Sequence, residues 1–260
     1  MRLLFVAAVL MLSGLAAAAQ DNPMQPSETW EALRYDVIEQ DTDPADAAGV
    51  MVLDAPARAT NPALVPVRIT QPEGAPAIRR LIVVVDQNPS PVVATFTFGE
   101  RMMPLDFEIR VRVDAYSNLR AIAYLDDGRS VMAGRFVKAS GGCAAPAGSG
   151  PDALADAGEM RLKTIDEAGR QISTLMIRHP NFSGFQRDQV TLLNIPARFI
   201  DTVEVTQDGE SLFTMEGGIS ISENPVFRFA HQPSLAPLTV HATDIDGAVF
   251  DQVLSVGATG

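Results

Sequence analysis

The stretch Phe107-Glu108-Ile109-Arg110-Val111-Arg112-Val113 decides the fold class, because its apolar and charged residues alternate without a break. A β-strand sends successive side chains to opposite faces, so this pattern predicts a strand with one buried face and one wet face. Similar short runs lie on both sides of it, with turn residues rather than helix-like segments between them. The candidate strands of this first block are residues 50–53, 64–69, 78–85, 92–98, 107–113, 119–124 and 130–137. Seven such strands predict an immunoglobulin-like β-sandwich over residues 50–138.

A second block, residues 159–260, repeats the same plan. Its candidate strands are residues 160–165, 171–177, 199–206, 210–215, 226–229, 238–243 and 248–256. Tight hairpins are indicated by Asp127-Gly128 in the first block and by Asp208-Gly209 and Asp246-Gly247 in the second. The sequence therefore predicts an all-β protein with two immunoglobulin-like sandwiches in tandem.

The first 19 residues have the pattern of a secretory signal peptide. A basic start at Met1-Arg2 precedes an apolar run, and Ala17-Ala18-Ala19 supplies the small residues that signal peptidase requires. We expect cleavage between Ala19 and Gln20 and export, with a bacterial periplasm as the compartment. The apolar run is short for a span, and no later stretch reaches the ~20 apolar residues of a membrane helix. We therefore expect no membrane anchor.

Residues 20–49 form a polar lead-in with one short helix. Ser27 can cap it, and an apolar side falls on one face, formed by Trp30, Leu33, Val37 and Ile38. Such a helix could dock a partner or cover one end of the first sandwich as a lid. We favour the lid.

Charge and motifs exclude several classes of function. The net charge of −12 argues against nucleic acid and anionic membranes as partners, since both require basic patches. No nucleotide-binding or hydrolase motif is present, and no pair among His179, His231 and His241 has the spacing of metal ligands. We expect no cofactor, no metal and no catalytic activity. For His179, packing or hydrogen bonding is favoured over a role as ligand or proton shuttle.

The only cysteine, Cys143, lies in a linker over residues 139–158 that separates the two blocks. Gly141 and Gly142 precede it, and small residues and prolines follow it, so little here can be packed into a core. We expect a mobile, exposed and unpaired thiol, which suits a group handed from partner to partner. The alternative is an incidental linker cysteine.

The first block resembles SoxY, the carrier of thiosulfate oxidation, and the second block resembles SoxZ. The SoxY-like motifs are Leu53-Asp54-Ala55-Pro56, Val65-Pro66-Val67, Asn88-Pro89-Ser90-Pro91, Ala94-Thr95-Phe96 and the closing run from Val137 to Cys143. The SoxZ-like motifs are Leu175-Met176-Ile177-Arg178-His179-Pro180, Gly184, Arg187-Asp188, Ile195-Pro196-Ala197-Arg198-Phe199-Ile200, Asp208-Gly209 and Ser222-Glu223-Asn224-Pro225. The match is best to fused SoxYZ-like carriers associated with quinoprotein dehydrogenases.

This resemblance implies two paired immunoglobulin-like domains and a sulfur intermediate held covalently on a cysteine. In SoxY that cysteine lies in a terminal Gly-Gly-Cys-Gly-Gly arm, and only Gly141, Gly142 and Cys143 match it. Here Ala144-Ala145-Pro146 replaces the later glycines and the chain continues. The implied protein is a carrier for periplasmic sulfur-oxidation enzymes, with its two blocks paired within one chain. The alternative is a non-catalytic binding module for a quinoprotein dehydrogenase or its cytochrome, in which the cysteine is dispensable.

Overall fold

The computed structural model describes residues 22–146 and 154–257. The predicted signal peptide, residues 1–19, lies outside them, as do residues 147–153 of the predicted linker. The helix α1 spans Glu28–Ile38, and a short 3₁₀ helix spans Glu100–Met102. The strands of the first half are β1 (Ala45–Asp46), β2 (Val52–Asp54), β3 (Val65–Thr70), β4 (Ile78–Val85), β5 (Val92–Phe98), β6 (Asp106–Val111), β7 (Ser117–Leu125) and β8 (Ser130–Val137). Those of the second half are β9 (Met160–Glu167), β10 (Arg170–Ile177), β11 (Ile200–Gln207), β12 (Glu210–Gly217), β13 (Val226–His231), β14 (Leu238–Asp244) and β15 (Val249–Leu254).

The predicted all-β class and the strand plan are confirmed. Each candidate strand of both blocks corresponds to an observed strand, with ends displaced by a few residues. The three predicted Asp-Gly turns connect β7 to β8, β11 to β12 and β14 to β15. At the second of these, both Asp208 and Gly209 have the positive φ angles that a tight hairpin requires. Only β1 was not predicted, since two residues pairing in parallel with β8 are too few to show a period.

Two sheets run without interruption through both halves of the chain. The larger has the order β1-β8-β7-β4-β5-β12-β11-β14-β15, and the smaller has the order β2-β3-β6-β13-β10-β9. The halves join edge to edge, through β5 with β12 and through β6 with β13, both antiparallel. The expected pairing of the two halves within one chain is therefore observed, and its form is a pair of shared sheets.

The apolar core lies between these two sheets and crosses the junction. Phe213 of β12 packs edge-on against Phe107 of β6, with ring centroids 5.4 Å apart, and against Phe229 of β13 at 5.2 Å. One cluster of buried side chains extends from Leu53 in the first half to Val240 in the second. Since this cluster is continuous across the junction, the two sandwiches form one hydrophobic unit.

The helix α1 lies on the outer face of the larger sheet, and not over one end of the sandwich as the lid interpretation held. Ser27 caps it by accepting a hydrogen bond from the amide of Trp30, as predicted. Trp30 and Ile38 are buried in a second apolar cluster, whose strand members are Ile82, Val84, Ile122 and Met132. These strand residues alternate with those facing the main core, so the helix covers the opposite side of β4, β7 and β8.

A buried ion pair lies beneath the helix. Arg120 of β7 donates to both carboxylate oxygens of Asp86, at 2.8 and 2.9 Å, and its guanidinium stacks 4.5 Å from the Trp30 ring. Asn118 contacts the same carboxylate and pairs in both directions with the backbone of Gln25. These contacts fasten the lead-in segment to the sheet. Within residues 22–146 and 154–257, no helix is long and apolar enough to cross a membrane.

Candidate functional site

The Gly-Gly-Cys segment folds back against the loop that follows β6. The amide of Gly141 donates to the carbonyl of Asp114 at 2.7 Å, and the amide of Gly142 donates to the carbonyl of Val113 at 3.2 Å. The amide of Cys143 then donates to the Asp114 carboxylate at 3.0 Å. Three successive amides are thus satisfied by two adjacent residues. We refer to residues 141–143 in this position as the docked arm.

Glycine is favoured at positions 141 and 142 for two different physical reasons. Gly141 has a φ of +77°, in the region that side chains disfavour, and open space surrounds the position of a side chain. Gly142 approaches the body of the protein closely: a Cβ there would lie 2.3 Å from the carbonyl oxygen of Pro62 and 2.6 Å from that of Val113. Since both obstacles are backbone atoms, only glycine permits this docked position.

A loop in the second half of the chain contacts the docked arm from the side opposite Asp114. The hydroxyl of Ser183, in the loop after β10, donates to the carbonyl of Cys143. Arg112 bridges the two halves, since its Nη1 donates to the carbonyl of Gly142 at 3.1 Å and its Nη2 to that of Asn181 at 3.2 Å. The arm therefore lies at the junction of the two domains.

The structure contradicts the expectation of an exposed, mobile thiol. Cys143 is free but fully buried. It belongs to neither apolar cluster, and the residues that hold its backbone are polar. The composition of the segment misled the prediction, because glycine is found in mobile linkers and equally where two backbones must approach closely.

Burial determines the acidity of the docked thiol. Burial, and secondarily the Asp114 carboxylate, raises the pKa of Cys143 from 9.0 to about 12, while the Arg112 guanidinium opposes the shift. Since the thiolate is the nucleophile, only about 10⁻⁵ of the docked population is reactive at pH 7. The docked state therefore protects the sulfur chemically as well as sterically.

Arg112 was predicted to lie on the wet face of its strand, and this is wrong. The side chain is 1% exposed, because the second half of the chain covers it. Burial lowers the pKa of Arg112, while the Cys143 thiolate, where it is ionised, and the Glu223 carboxylate favour the protonated form of the guanidinium. Asn88 braces its backbone, donating to the Arg112 carbonyl at 2.7 Å and accepting from the Asp114 amide at 2.9 Å. Asn88 of the Asn-Pro motif thus positions two of the residues that hold the arm, Arg112 and Asp114.

His179 lies behind the Arg112 contact, fully buried. Its Nδ1 lies 2.7 Å from Oδ1 of Asn181, and its Nε2 lies 3.4 Å from the carboxylate of Asp244. Arg198 donates to the same carboxylate at 2.8 Å. Burial lowers the pKa of His179, although Asn181 and Asp244 oppose this. These contacts give His179 the hydrogen-bonding position that the sequence favoured over a ligand role.

Sequence reasoning found Gly141, Gly142 and Cys143 but missed the side chains that hold them, which are Arg112, Asp114 and Ser183. It also missed Asn181, whose carbonyl accepts from Arg112. Arg112 and Asp114 could have been noticed as charges at the end of a strongly alternating strand. Ser183 lies between Phe182 and Phe185 in the sequence. In the structure Phe182 is half-buried and Phe185 is exposed. No local signal in the sequence connects Ser183 to a cysteine 40 residues earlier.

No curated protein matches the chain. A structure of the sulfur carrier protein SoxY from Chlorobium limicola f. thiosulfatophilum is 26% identical, and the match covers 42% of this chain and 94% of that one, with a TM-score of 0.34. A superoxide reductase (neelaredoxin) from Ignicoccus hospitalis is 15% identical, with 41% and 90% covered and a TM-score of 0.30.

Two family models match the chain, one on each side of the linker between its two halves. The model of sulfur oxidation protein SoxY matches residues 36–143 and ends on the docked cysteine. The model of sulphur oxidation protein SoxZ matches residues 160–255. The two shared sheets are therefore formed by a SoxY domain and a SoxZ domain, joined in one polypeptide as a fused SoxYZ-like protein.

Proposed function

We propose that this protein carries a sulfur-containing intermediate covalently on Cys143 and presents it to partner enzymes of sulfur-compound oxidation, without catalysing a reaction itself. The observation that supports this most directly is the position of the arm. Gly141-Gly142-Cys143 ends the SoxY domain and is held at the domain junction by five hydrogen bonds. Such contacts can open and close without disturbing the sheets.

The docked arm is the resting state in this proposal. Five hydrogen bonds described above hold it, and each has a net value of about 0.5–1.5 kcal/mol. Opening therefore costs a few kcal/mol, which is in the range of local unfolding events. Once released, the thiol leaves the environment that raises its pKa, and its thiolate fraction increases. Docking thus protects the thiol between encounters, and undocking makes it available.

The released arm has limited reach. Five residues separate the end of β8 near Lys138 from Cys143, which allows at most about 17 Å of extended chain. Because Ala144-Ala145-Pro146 continues the chain, the arm enters a partner as a bent loop rather than as a free tail. The receiving site is therefore a cleft wider than a tunnel for a chain terminus.

The compartment follows from the signal-like sequence of residues 1–19. We expect a periplasmic protein whose mature chain begins at Gln20. Cell fractionation followed by N-terminal sequencing tests this, and recovery of the intact Met1 terminus from the cytoplasm would contradict it.

Intact-mass analysis of protein isolated from the periplasm of its native host tests the carrier function. We expect sulfur-bearing adducts that a reductant removes and that are absent from a Cys143→Ala variant. A bare thiol under all growth conditions would refute covalent carriage.

A second candidate is a non-catalytic binding module for a quinoprotein dehydrogenase or its cytochrome. The complete burial of Cys143, with its pKa raised to about 12, favours this alternative, because a structural cysteine would look the same. A strain carrying Cys143→Ala distinguishes the two. Unchanged growth on sulfur compounds would favour the binding module, and lost growth would favour the carrier.

A further inference from the structure

The docked position leaves no room around the sulfur of Cys143. The residue is 0% exposed, so no space as large as a water molecule touches its side chain. A sulfonate or thiosulfonate group on that sulfur would add several heavy atoms, which occupy more volume than one water molecule. The docked arm therefore accommodates the bare thiol and has no room for a loaded one.

The arm cannot move deeper into the protein to make room. A Cβ on Gly142 would lie 2.3 Å from the carbonyl oxygen of Pro62 and 2.6 Å from that of Val113, so two backbones already meet at close approach. The hydroxyl of Ser183 contacts the carbonyl of Cys143 itself. Because backbone atoms of the folded body bound the arm, it makes room for an adduct by leaving its position.

The surroundings of the sulfur also disfavour a negative charge. The Asp114 carboxylate lies 3.0 Å from the amide nitrogen of Cys143. The guanidinium of Arg112 is close by, but its Nη1 and Nη2 already donate to the carbonyls of Gly142 and Asn181. Burial and the Asp114 charge outweigh the attraction of Arg112, since the pKa of Cys143 is raised to about 12. An anionic sulfur group would meet the same burial and the same carboxylate.

Release of the arm requires little else to move. Before the arm, Ala139 is buried in the main apolar cluster, while residues 140–141 are exposed. After the arm, Ala144 is exposed again. Only Gly142 and Cys143 are buried between these points, and neither belongs to an apolar cluster. The arm can therefore leave at the cost of its hydrogen bonds, with both sheets and their core unchanged.

We propose that covalent loading of Cys143 with an anionic sulfur group expels the arm from the domain junction, and that removal of the group lets the arm dock again. This regulation rests on the proposed carrier function. The bare thiol is then withdrawn from oxidants, whereas a loaded sulfur is presented to the enzyme that consumes it. The enzyme that loads the carrier has to open the junction, where Arg112 and Ser183 hold the arm.

Tetrathionate provides a defined anionic load for the purified full-length chain. At pH 9, during spontaneous opening, the Cys143 thiol loses its proton to solvent and its thiolate attacks an inner sulfur of tetrathionate. The sulfur–sulfur bond of the reagent breaks, and thiosulfate leaves with the electron pair. The Cys143 sulfur is thereby oxidised to the disulfide level and carries a thiosulfonate group, which intact mass verifies. Cys143→Ser treated in the same way is the matched control, because it has no thiol to load.

Hydrogen exchange followed by mass spectrometry reports the position of the arm. The amides of residues 141–143 all donate hydrogen bonds in the docked arm, and release removes this protection. We expect their exchange to be at least 10-fold faster in the loaded protein and unchanged in treated Cys143→Ser. After a reductant restores the thiol, the original rate should return. The amides of β7 and β8 should exchange equally in all samples and serve as the internal reference.

The other outcomes would overturn the proposal or the function on which it rests. Equal exchange of residues 141–143 in loaded and bare protein would show that the adduct does not expel the arm, and the carrier function would stand. Exchange in the bare protein as fast as in an unstructured peptide would show that no docked arm exists to be expelled. Faster exchange throughout both sheets would show general unfolding instead of release. Absence of sulfur adducts in protein from the native host would refute the carrier function alone.

Discussion

Replacement of Gly142 by alanine is expected to release the docked arm. The added Cβ would lie 2.3 Å from the Pro62 carbonyl oxygen, 2.6 Å from the Val113 carbonyl oxygen and 2.8 Å from the Val113 amide nitrogen. All three are backbone atoms of the folded body. Because none can move away cheaply, the arm gives way rather than the sheet, and Cys143 becomes exposed.

The size of the effect follows from the acidity of the thiol. With the pKa of Cys143 raised from 9.0 to about 12, about 10⁻⁴ of the docked thiol is ionised at pH 8, against about 10⁻¹ of an unperturbed one. The rate of reaction with a chromogenic disulfide such as DTNB should therefore rise by up to about 10³-fold in Gly142→Ala. The observed difference in rate will be smaller if the wild-type arm opens spontaneously, because the opened thiol also reacts.

Gly141→Ala is the matched control, since its Cβ meets no atom within 4 Å and the only cost is a positive φ of 77°. That cost is about 1 kcal/mol, so a roughly five-fold increase in rate is expected. Thermal unfolding should show the sheets intact in both variants. Equal rates in wild type and Gly142→Ala would refute the docked arm, as would a wild-type rate already equal to that of the unfolded chain.

Three further predictions concern ionisable groups. Because the pKa of Cys143 is raised, the buried thiol stabilises the docked arm below pH 9, and this contribution is lost as the pH rises towards 12. Between pH 9 and pH 12, the rate of reaction with DTNB should therefore increase more steeply for the wild type than for Gly142→Ala. Burial lowers the pKa of His231 from 6.5 to about 4, so the contribution of this residue to stability should be about 2–3 kcal/mol smaller at pH 4.5 than at pH 7. In urea unfolding, His231→Gln should reduce the loss of stability between pH 7 and pH 4.5 by this amount. Arg120→Met leaves the buried Asp86 carboxylate without its cation and should cost about 3–5 kcal/mol, followed by Trp30 fluorescence. Arg129→Met, at an exposed pair, is the control and should leave the unfolding midpoint nearly unchanged.

The strand plan could be predicted from the sequence because it depends on local patterns. Alternation along Phe107–Val113 and the Asp-Gly turns act over two to seven residues, and the side-chain period of a strand is fixed by backbone geometry. The pairing of β5 with β12 and of β6 with β13 depends on which edges meet, and residues more than 100 positions apart decide that. Local patterns carry no such information.

The environment of the cysteine could not be predicted for the same reason. Gly141, Gly142 and Cys143 were recognised from their order in the chain, whereas their burial depends on Pro62, Arg112 and Ser183. The alternation around Arg112 was interpreted as one wet face, which holds for an isolated sandwich. Once the second domain completes the sheet, that end of the strand becomes interior.

The shared sheets also have a consequence for how the polypeptide can be divided. Cutting it within residues 147–153 would leave each fragment with two bare strand edges, β5 and β6 on one and β12 and β13 on the other. Edges of this kind recruit other strands, so each fragment alone should aggregate, while co-expressed fragments should recombine into a complementing pair. The fusion therefore guarantees that the two halves are made in equal numbers, so that each finds the strand edges of the other.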